Sequence, residues 1–237
     1  MKKLTKAIIA GGLLASAATA QAEGLEVSGN VALTTDYIWR GVSQTDSSPA
    51  IQGGFDIECE SGLYAGIWGS NIDFGSGDDS NMEVDYYFGF SRDINDNLSY
   101  DIGYVWYDYP QEGGNNFGEL YASLSFMDAT VGVYHQDDTV SPYANTAGDT
   151  NAPQQYYYVD YSREVANGIS VGAHVGHYNL VGAGAEDYSD WNVSVSKTVA
   201  GVDLSLMYSA TNLNDGASHQ MDDSADDVFV FTIAKSL

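Results

Sequence analysis

Apolar and polar residues alternate along most of the chain, and this period of two constrains the fold more than any other feature. The segment DNLSYDIGYVWYDYP places Leu98 and Ile102 on one face and Asp101 on the other. A β-strand turns successive side chains to opposite faces, whereas a helix repeats its apolar residues every three or four positions. The segment is therefore predicted to be a strand with one face in apolar surroundings.

The same alternation recurs along the chain and predicts about twelve strands. They are expected near residues 25–38, 48–59, 62–74, 81–92, 97–109, 116–127, 129–137, 154–164, 168–179, 188–199, 201–212 and 226–237. A strand of about 11 residues at ~3.3 Å per residue, tilted by ~40°, rises about 28 Å, which spans the ~25 Å apolar band of an outer-membrane barrel. Both the number and the length of the strands fit such a barrel.

The connections between these strands alternate between short and long. ECESG, SRDINDN, MDA, EVANG and TVAG are short, whereas RGVSQTDSS, GSGDDS, PQEGGNN, DDTVSPYANTAGDTNAP, VGAGAED and NDGASHQMDDSAD are longer and mostly acidic. Outer-membrane barrels have short periplasmic turns and long outer loops. A sheet in hydrocarbon must also close, because lipid cannot satisfy the N–H and C=O groups of an open edge. The pattern therefore predicts an all-β fold, a closed antiparallel up-and-down transmembrane β-barrel with both termini on the periplasmic side.

The first 22 residues have the pattern of a secretory signal peptide. Three lysines precede an apolar run, and the small residues Ala20 and Ala22 flank Gln21 at the expected cleavage site. The apolar run is too short to span a bilayer as a helix. We therefore expect residues 1–22 to be cleaved, and residues 23–237 to form the barrel in the outer membrane of a Gram-negative-type cell.

The charge of the chain excludes some partners. It has 33 Asp and Glu residues against 8 Lys and Arg residues, and a sequence pI of about 4.1. Nucleic acid is excluded as a partner because binding to phosphates requires the opposite charge. The single cysteine, Cys59, cannot form an internal disulfide.

The alternation places acidic residues on the face predicted to line the lumen. Rings of Asp and Glu favour cations, although these side chains could equally be hydrated lumen residues with no selective effect. Arg40 is expected where the first strand meets its outer loop, paired with an acid such as Asp36, either as a structural ion pair or as a substrate clamp. The pore-lining candidates are Glu26, Asp36, Arg40, Asp56, Glu83, Asp85, Asp101, Glu119, Asp160 and Asp203, with Glu58 on the same face.

Other chemistry has weaker support. His174 and His177 would lie on opposite faces of a strand, so a shared metal site is not expected. The acidic stretch MDDSADD lacks the spaced ligands and glycine of an EF-hand, and neither a metal nor a cofactor is predicted. The sequence shows no G-x-S-x-G elbow at a strand-to-helix turn, since GISVG at residues 168–172 lies in a predicted strand, and no enzymatic activity is expected. The 18 tyrosines could form girdles at the membrane interfaces or a ladder inside the barrel.

The segment TTDYIWRGVSQTDSSPAIQGGFDIECESGLYAGIWGSNIDFG resembles the N-terminal signature of a family. Its features include Asp36-Tyr37, Arg40-Gly41 and Trp68-Gly69. The segment is similar to the TorF-type family of porin-like proteins, also known as Gcw_chp, which are exported proteobacterial proteins. The resemblance implies an outer-membrane barrel with pore activity. Outer-membrane proteins usually end in an aromatic residue that the barrel-assembly machinery reads, and Leu237 is expected to substitute for it.

Together these observations predict a porin-like channel for passive diffusion of small hydrophilic solutes or ions, with a preference for cations. The expected partners are outer-membrane lipid, the permeating solutes or cations, and the barrel-assembly machinery. The alternative is a non-conducting structural or surface-recognition barrel whose acidic loops bind a partner.

Overall fold

The structure is a computed structural model that describes most of the chain. The described residues are 20–22, 24–75, 79–111, 116–137, 139–140, 153–180, 186–213 and 224–237. Most of the predicted signal peptide and most residues of the long connections lie outside these ranges. In the described part of the chain, no helix has both the length and the apolar character needed to cross a membrane.

Fifteen strands form in the described residues. They are β1 (Ala20–Ala22), β2 (Leu25–Thr34), β3 (Ile38–Trp39), β4 (Val42–Ser43), β5 (Ala50–Cys59), β6 (Leu63–Asn71), β7 (Met82–Asn95), β8 (Leu98–Asp108), β9 (Phe117–Phe126), β10 (Ala129–Gln136), β11 (Gln154–Ala166), β12 (Ile169–Asn179), β13 (Tyr188–Val199), β14 (Val202–Thr211) and β15 (Val228–Ser236). All except β3 and β4 belong to one antiparallel sheet.

The sheet closes on itself because β2 has a partner on each side. It pairs with β5 over ten residues and with β15 over five, from Asn30 to Thr34. The barrel therefore has twelve strands, β2 and β5 to β15, and the predicted fold class is confirmed. The short strand β1 pairs only with β2, beside Leu25 to Val27, where β15 has already ended.

Alternation along each strand separates an apolar outer surface from a polar lumen. On β5, Ile51, Phe55 and Ile57 are exposed, between positions that are buried or half-buried. The same holds on β13 for Trp191 and Val193. No other part of the described chain covers these large apolar side chains. The outer face of the barrel is therefore the apolar surface that the alternation predicts.

Most of the described tyrosines fill the interior and do not form girdles. Several of them lie against a glycine on the neighbouring strand: Tyr87 pairs with Gly66, and Tyr121 with Gly103. At Gly66 and Gly103, an added Cβ would overlap the ring of the paired tyrosine. The glycines therefore let these rings lie flat against the wall. The inward tyrosines are Tyr37, Tyr64, Tyr87, Tyr107, Tyr109, Tyr121, Tyr134, Tyr156, Tyr158, Tyr178 and Tyr188.

The two ends of the barrel differ in the length of their connections, as predicted. At the short-turn end, where β2 begins and β15 ends, two-residue turns join β11 to β12 and β13 to β14. Asn167-Gly168 and Ala200-Gly201 have positive φ at both positions, which is the geometry of the type I′ turns that suit the twist of a hairpin. The opposite end carries the longer connections and is called the long-loop end below.

One long connection does not stay outside. Residues 35–49, between β2 and β5, are here called the inner loop, because they fold into the lumen at the long-loop end. Its residues 36–45 are buried or half-buried, with Thr45 only 1% and Tyr37 only 4% exposed, whereas residues 35 and 46–49 are exposed. The prediction of a first strand reaching residue 38 and an outer loop beyond it is therefore wrong. The strand ends at Thr34, and the chain turns inward.

Candidate functional site: the barrel lumen

The inner loop is shaped as a small hairpin whose tip crosses the lumen. β3 and β4 are joined by Arg40 and Gly41, with φ values of 49° and 81°, so this turn is also of type I′. A Cβ on Gly41 would lie 2.6 Å from the Cβ of Asp190 on β13. The tip therefore touches the wall, and glycine is required there for both its conformation and its size.

Hydrogen bonds within the inner loop fix its base. Asp36 Oδ1 accepts hydrogen bonds from Ser43 Oγ at 2.7 Å and from Thr45 Oγ1 at 2.9 Å. The Tyr37 backbone N–H donates to Thr45 Oγ1 at 3.1 Å, and the Tyr37 hydroxyl donates to Glu83 on β7 at 2.7 Å. These contacts tie the two arms of the hairpin together and attach one arm to the wall.

At the tip, Arg40 forms a buried two-point ion pair with Glu119 on β9. The guanidinium Nη1 and Nη2 donate to Glu119 Oε1 and Oε2 at 2.9 and 2.7 Å. The two side chains are only 5% and 2% exposed. Tyr107 also donates to Glu119, at 3.1 Å. Paired donors from a planar guanidinium fix its orientation as well as its charge.

Four aromatic rings surround the same guanidinium. Its Cζ lies 4.2 Å from the ring centroid of Trp39, 4.4 Å from Tyr156, 4.7 Å from Tyr178 and 5.0 Å from Tyr134. All four distances are within the ~6 Å range of cation–π interactions. Arg40 therefore connects the inner loop to β9, β10, β11 and β12 at one point.

The predicted pairing of Arg40 with Asp36 is wrong. Asp36 is occupied by the hydroxyls of Ser43 and Thr45. Because the hairpin carries Arg40 away from β2 into the lumen, Arg40 meets Glu119, 79 residues further along the chain. Arg40 thus attaches the inner loop to the barrel wall and does not stand at an outer mouth.

Two further carboxylates lie beside the inner loop on β7. Glu83 is 2% and Asp85 is 6% exposed. Asp85 Oδ1 is buried and has no hydrogen-bond partner among the described residues. With Glu119, they make three buried carboxylates in the half of the lumen that holds Arg40. The long-loop half of the lumen therefore carries more negative than positive side chains.

Tyrosine hydroxyls and carboxylates form a second network nearer the short-turn end. The Tyr64 hydroxyl donates to Asp101 at 2.6 Å and also contacts the Tyr121 hydroxyl. The Tyr87 hydroxyl donates to Asp56 at 2.5 Å. These residues are half-buried, apart from the more buried Tyr121, so water reaches this half of the lumen.

A histidine joins the two halves of the lumen. His174 Nδ1 lies 2.6 Å from Asp160, and its Nε2 lies 3.2 Å from Asp190 and 2.7 Å from the Tyr156 hydroxyl. His177, three residues later, is on the outer face and contacts Ser189. The two histidines therefore point to opposite sides, as the alternation predicts. Among the described residues, no group of three His, Cys, Asp or Glu side chains is placed to hold a metal ion.

The pore-lining candidates predicted from the sequence all lie inside the barrel, although two of them are not on its wall. Asp36 and Arg40 belong to the inner loop, and their part in a pore stays a prediction, as it does for the others. Asp190 was not selected, although the alternation in YSDWNVSV puts it on the same face as Tyr188. The wall residues are Glu26, Asp56, Glu83, Asp85, Asp101, Glu119, Asp160 and Asp203.

The long connections contribute little to the described site. Asp137, just beyond β10, accepts hydrogen bonds from Thr139 and Val140, and the bond from the Thr139 side chain in particular lowers its pKa to about 2. Residues 141–152 and 214–223 lie outside the described residues. Most of the long connection DDTVSPYANTAGDTNAP and the first three residues of MDDSADD fall there.

Comparisons with known proteins agree with this architecture. The family described as "Bacterial protein of unknown function (Gcw_chp)" matches residues 17–237. The solved structure titled "KdgM porin" is similar with a TM-score of 0.52 and 7% identity, covering 89% of this chain and 97% of that one. The solved structure of the NanC porin gives a TM-score of 0.55 and 10% identity, with coverages of 87% and 97%. No curated protein matches the chain. At these identities the likeness to the porins is one of fold.

Proposed function

Because this chain belongs to the Gcw_chp family of bacterial proteins, whose description gives no function, we propose one from the structure: a narrow outer-membrane channel. It passes small hydrophilic solutes or ions by passive diffusion and prefers cations. The observation that carries this proposal is the separation of surfaces in a closed barrel, with apolar side chains outside and carboxylates, hydroxyls and one buried ion pair inside.

The outer surface supports a place in a membrane. Strand β7 presents Tyr86 and Phe88 outward, 48% and 61% exposed, and β15 presents Phe229 and Phe231, 69% and 42% exposed. Apolar patches of this extent on a soluble monomer would promote association. A closed sheet satisfies its own backbone groups and can therefore lie in hydrocarbon. The two similar structures that are titled porins have the same kind of barrel.

The inner loop supports a narrow passage at the long-loop end. A barrel of twelve strands is wider than the eight-stranded barrels that side chains alone can fill, and narrower than the open channels of sixteen strands. Here the hairpin tip reaches from β2 to Glu119 and Asp190. A solute must pass beside this hairpin, so the residues around it set the size and charge of what can enter.

The charge balance around the hairpin supports a preference for cations. Glu83, Asp85 and Glu119 are buried there, and of these three carboxylates Glu119 is the one paired with Arg40. Asp85 Oδ1 lacks a hydrogen-bond partner in the described structure. An isolated buried carboxylate is unfavourable unless it is paired or neutralised, and a permeating cation would supply the missing positive charge.

The test is the conductance of purified, refolded protein in planar lipid bilayers under a salt gradient. We expect discrete current steps and a reversal potential of the sign for cation flow. Asp85→Asn should reduce this potential, because it removes a charge beside the hairpin. Asp96→Asn, in the exposed turn between β7 and β8, is the matched control and should leave it unchanged. A reversal potential of the sign for anion flow in the unchanged protein would contradict the cation preference.

A non-conducting barrel is the second candidate, and the inner loop is the observation that favours it. The hairpin and the rings around Arg40 are buried together, which is what a permanent plug would show. Absence of current steps from protein that is folded and inserted would decide for this candidate. Its acidic long loops would then be the surface to test for a binding partner.

Export and assembly complete the proposal. The N-terminal 22 residues are a signal peptide whose removal leaves Glu23 first, and the barrel-assembly machinery inserts the processed chain. Because β1 pairs only with β2, its loss leaves the twelve barrel strands in place. Mass spectrometry of the chain extracted from outer membranes should give the mass of residues 23–237. A mass that includes residues 1–22 would contradict the cleavage.

A further inference from the structure

The few basic residues of the barrel are distributed very unevenly. Beyond residue 22 the sequence has five Lys and Arg residues. Arg40 is buried in the lumen, and the other four are exposed. All four lie near the short-turn end, one to three residues before the last residue of a strand: Arg92 on β7, Arg163 on β11, Lys197 on β13 and Lys235 on β15.

All four also point outward. Each one stands in register with exposed apolar residues of its strand, such as Phe88 on β7 and Val193 on β13. Because side chains alternate along a strand, these cations share the outer face with the apolar residues. They form the border of that face at the short-turn end. The four residues are here called the basic belt. Within the described strands, the outward charge at the opposite border is acidic, namely Asp108 at the end of β8.

The charges of the basic belt are mostly not neutralised by the protein. Arg92 Nη1 donates to the carbonyl of Ser61 at 3.1 Å, and Lys235 Nζ donates to that of Gly201 at 2.7 Å. Arg163 lies 3.8 Å from Asp128, and both side chains are largely exposed. Among the described residues, this is the one carboxylate within salt-bridge distance of the belt. The outward-pointing charges of the strands at this end are therefore positive, while the exposed acids Glu60, Asp93, Asp96, Asp128 and Glu164 lie in or beside the short turns.

We propose that the basic belt binds the phosphate groups of anionic phospholipids in the membrane leaflet at the short-turn end. This rests on the proposed function, because it requires the barrel to lie in a membrane. A Lys or Arg at the border of an apolar band can lay its methylene groups on lipid while its charge reaches the head groups. The occupant is a phospholipid, since the short turns of outer-membrane barrels face the periplasm.

The contacts also suggest how the belt is held in place. Arg92, Arg163 and Lys235 each reach the turn of a neighbouring hairpin, at Ser61, Asp128 and Gly201. Their charged ends are thereby kept at the level of the turns. Binding of lipid phosphates at this level sets the depth of the barrel in the bilayer and its orientation.

The test compares lipid binding by the folded, detergent-solubilised barrel in native mass spectrometry. The probes are phosphatidylglycerol and phosphatidylcholine with identical acyl chains. We expect phosphatidylglycerol to bind more tightly, with about a fivefold loss of preference for each belt cation removed. The test variant combines Arg92→Gln, Arg163→Gln, Lys197→Gln and Lys235→Gln. The matched control combines Arg92→Lys, Arg163→Lys, Lys197→Arg and Lys235→Arg, and should keep the preference.

The outcomes separate this proposal from the channel. Equal binding of the two lipids by the unchanged barrel would overturn the belt proposal, even if the barrel inserts and conducts. A preference for lipopolysaccharide over phosphatidylglycerol would also overturn it, since that lipid belongs to the other leaflet. If the fourfold variant does not fold, the single variant Lys197→Gln provides the same test. A second test is whether the unchanged protein loses its preference for phosphatidylglycerol at high salt.

Discussion

Breaking the ion pair between Arg40 and Glu119 should release the inner loop from the wall. The pair has two hydrogen bonds of 2.9 and 2.7 Å between side chains that are almost fully buried. Removing one partner of such a pair typically costs about 3–5 kcal/mol, because the other charge is left buried. Each 1.4 kcal/mol is about a factor of ten, so the ratio of docked to released inner loop should fall by about 10²- to 4 × 10³-fold.

The two single variants differ in what they leave behind. Glu119→Gln keeps the hairpin and its aromatic contacts but leaves the guanidinium without a carboxylate. Arg40→Ala removes the charge together with its contacts to Trp39 and three tyrosines. In the double variant neither charge remains, so its effect should be smaller than the sum of the two single effects. The difference gives the coupling between the two residues.

The assay is single-channel recording in planar bilayers, with the time spent in the highest conductance state as the readout. Both single variants should spend far more time in that state than the unchanged protein, because the hairpin no longer narrows the lumen. Asp96→Asn, in an exposed turn, controls for the loss of a charge in general. Traces from Arg40→Ala and Glu119→Gln that match this control would refute the idea that the ion pair holds the inner loop.

Three further variants probe other features of the lumen. Gly41→Ala should release the inner loop in the same assay, because a Cβ there meets the wall and φ is 81°; an unchanged conductance would contradict this. Gly103→Ala should push the Tyr121 ring off the wall. This overpacking should lower the free energy of unfolding in urea by about 1–3 kcal/mol. An unchanged midpoint of urea unfolding would show that the ring has room to move. His174→Ala should strengthen the cation preference, because it leaves two carboxylates without their imidazole partner. His177→Ala on the outer face is its control and should have no effect. Equal reversal potentials for the two variants would contradict the role of His174.

The strands could be predicted from the sequence because alternation is a local property. A lipid-facing strand must be apolar at every second residue, and a single stretch such as the one around Ile102 shows this without knowledge of its partners. The predicted order of short and long connections is local for the same reason. Turns such as Asn167-Gly168 can be recognised from their residue types.

The path of the inner loop could not be predicted in the same way. Its position depends on contacts between residues that are distant in sequence, above all Arg40 with Glu119 and Tyr37 with Glu83. Locally, the stretch after Thr34 looks like a strand followed by a polar loop. The hydroxyls of Ser43 and Thr45 give one hint, because small polar residues near an acid can close a compact turn, but that hint does not tell which way the loop points.

The seam between β2 and β15 has a consequence for how the molecule forms. Every other neighbouring pair in the barrel joins strands that are consecutive around it and close in sequence, so these pairs can form one hairpin after another. The seam joins residues such as Thr34 and Thr232, 198 positions apart, over only five pairs. Contacts at such separation are reached late in folding, because ordering the intervening chain must come first. An unfinished molecule would therefore be a curved sheet with two bare edges, and the last hydrogen bonds to form would be the ones that turn it into a cylinder.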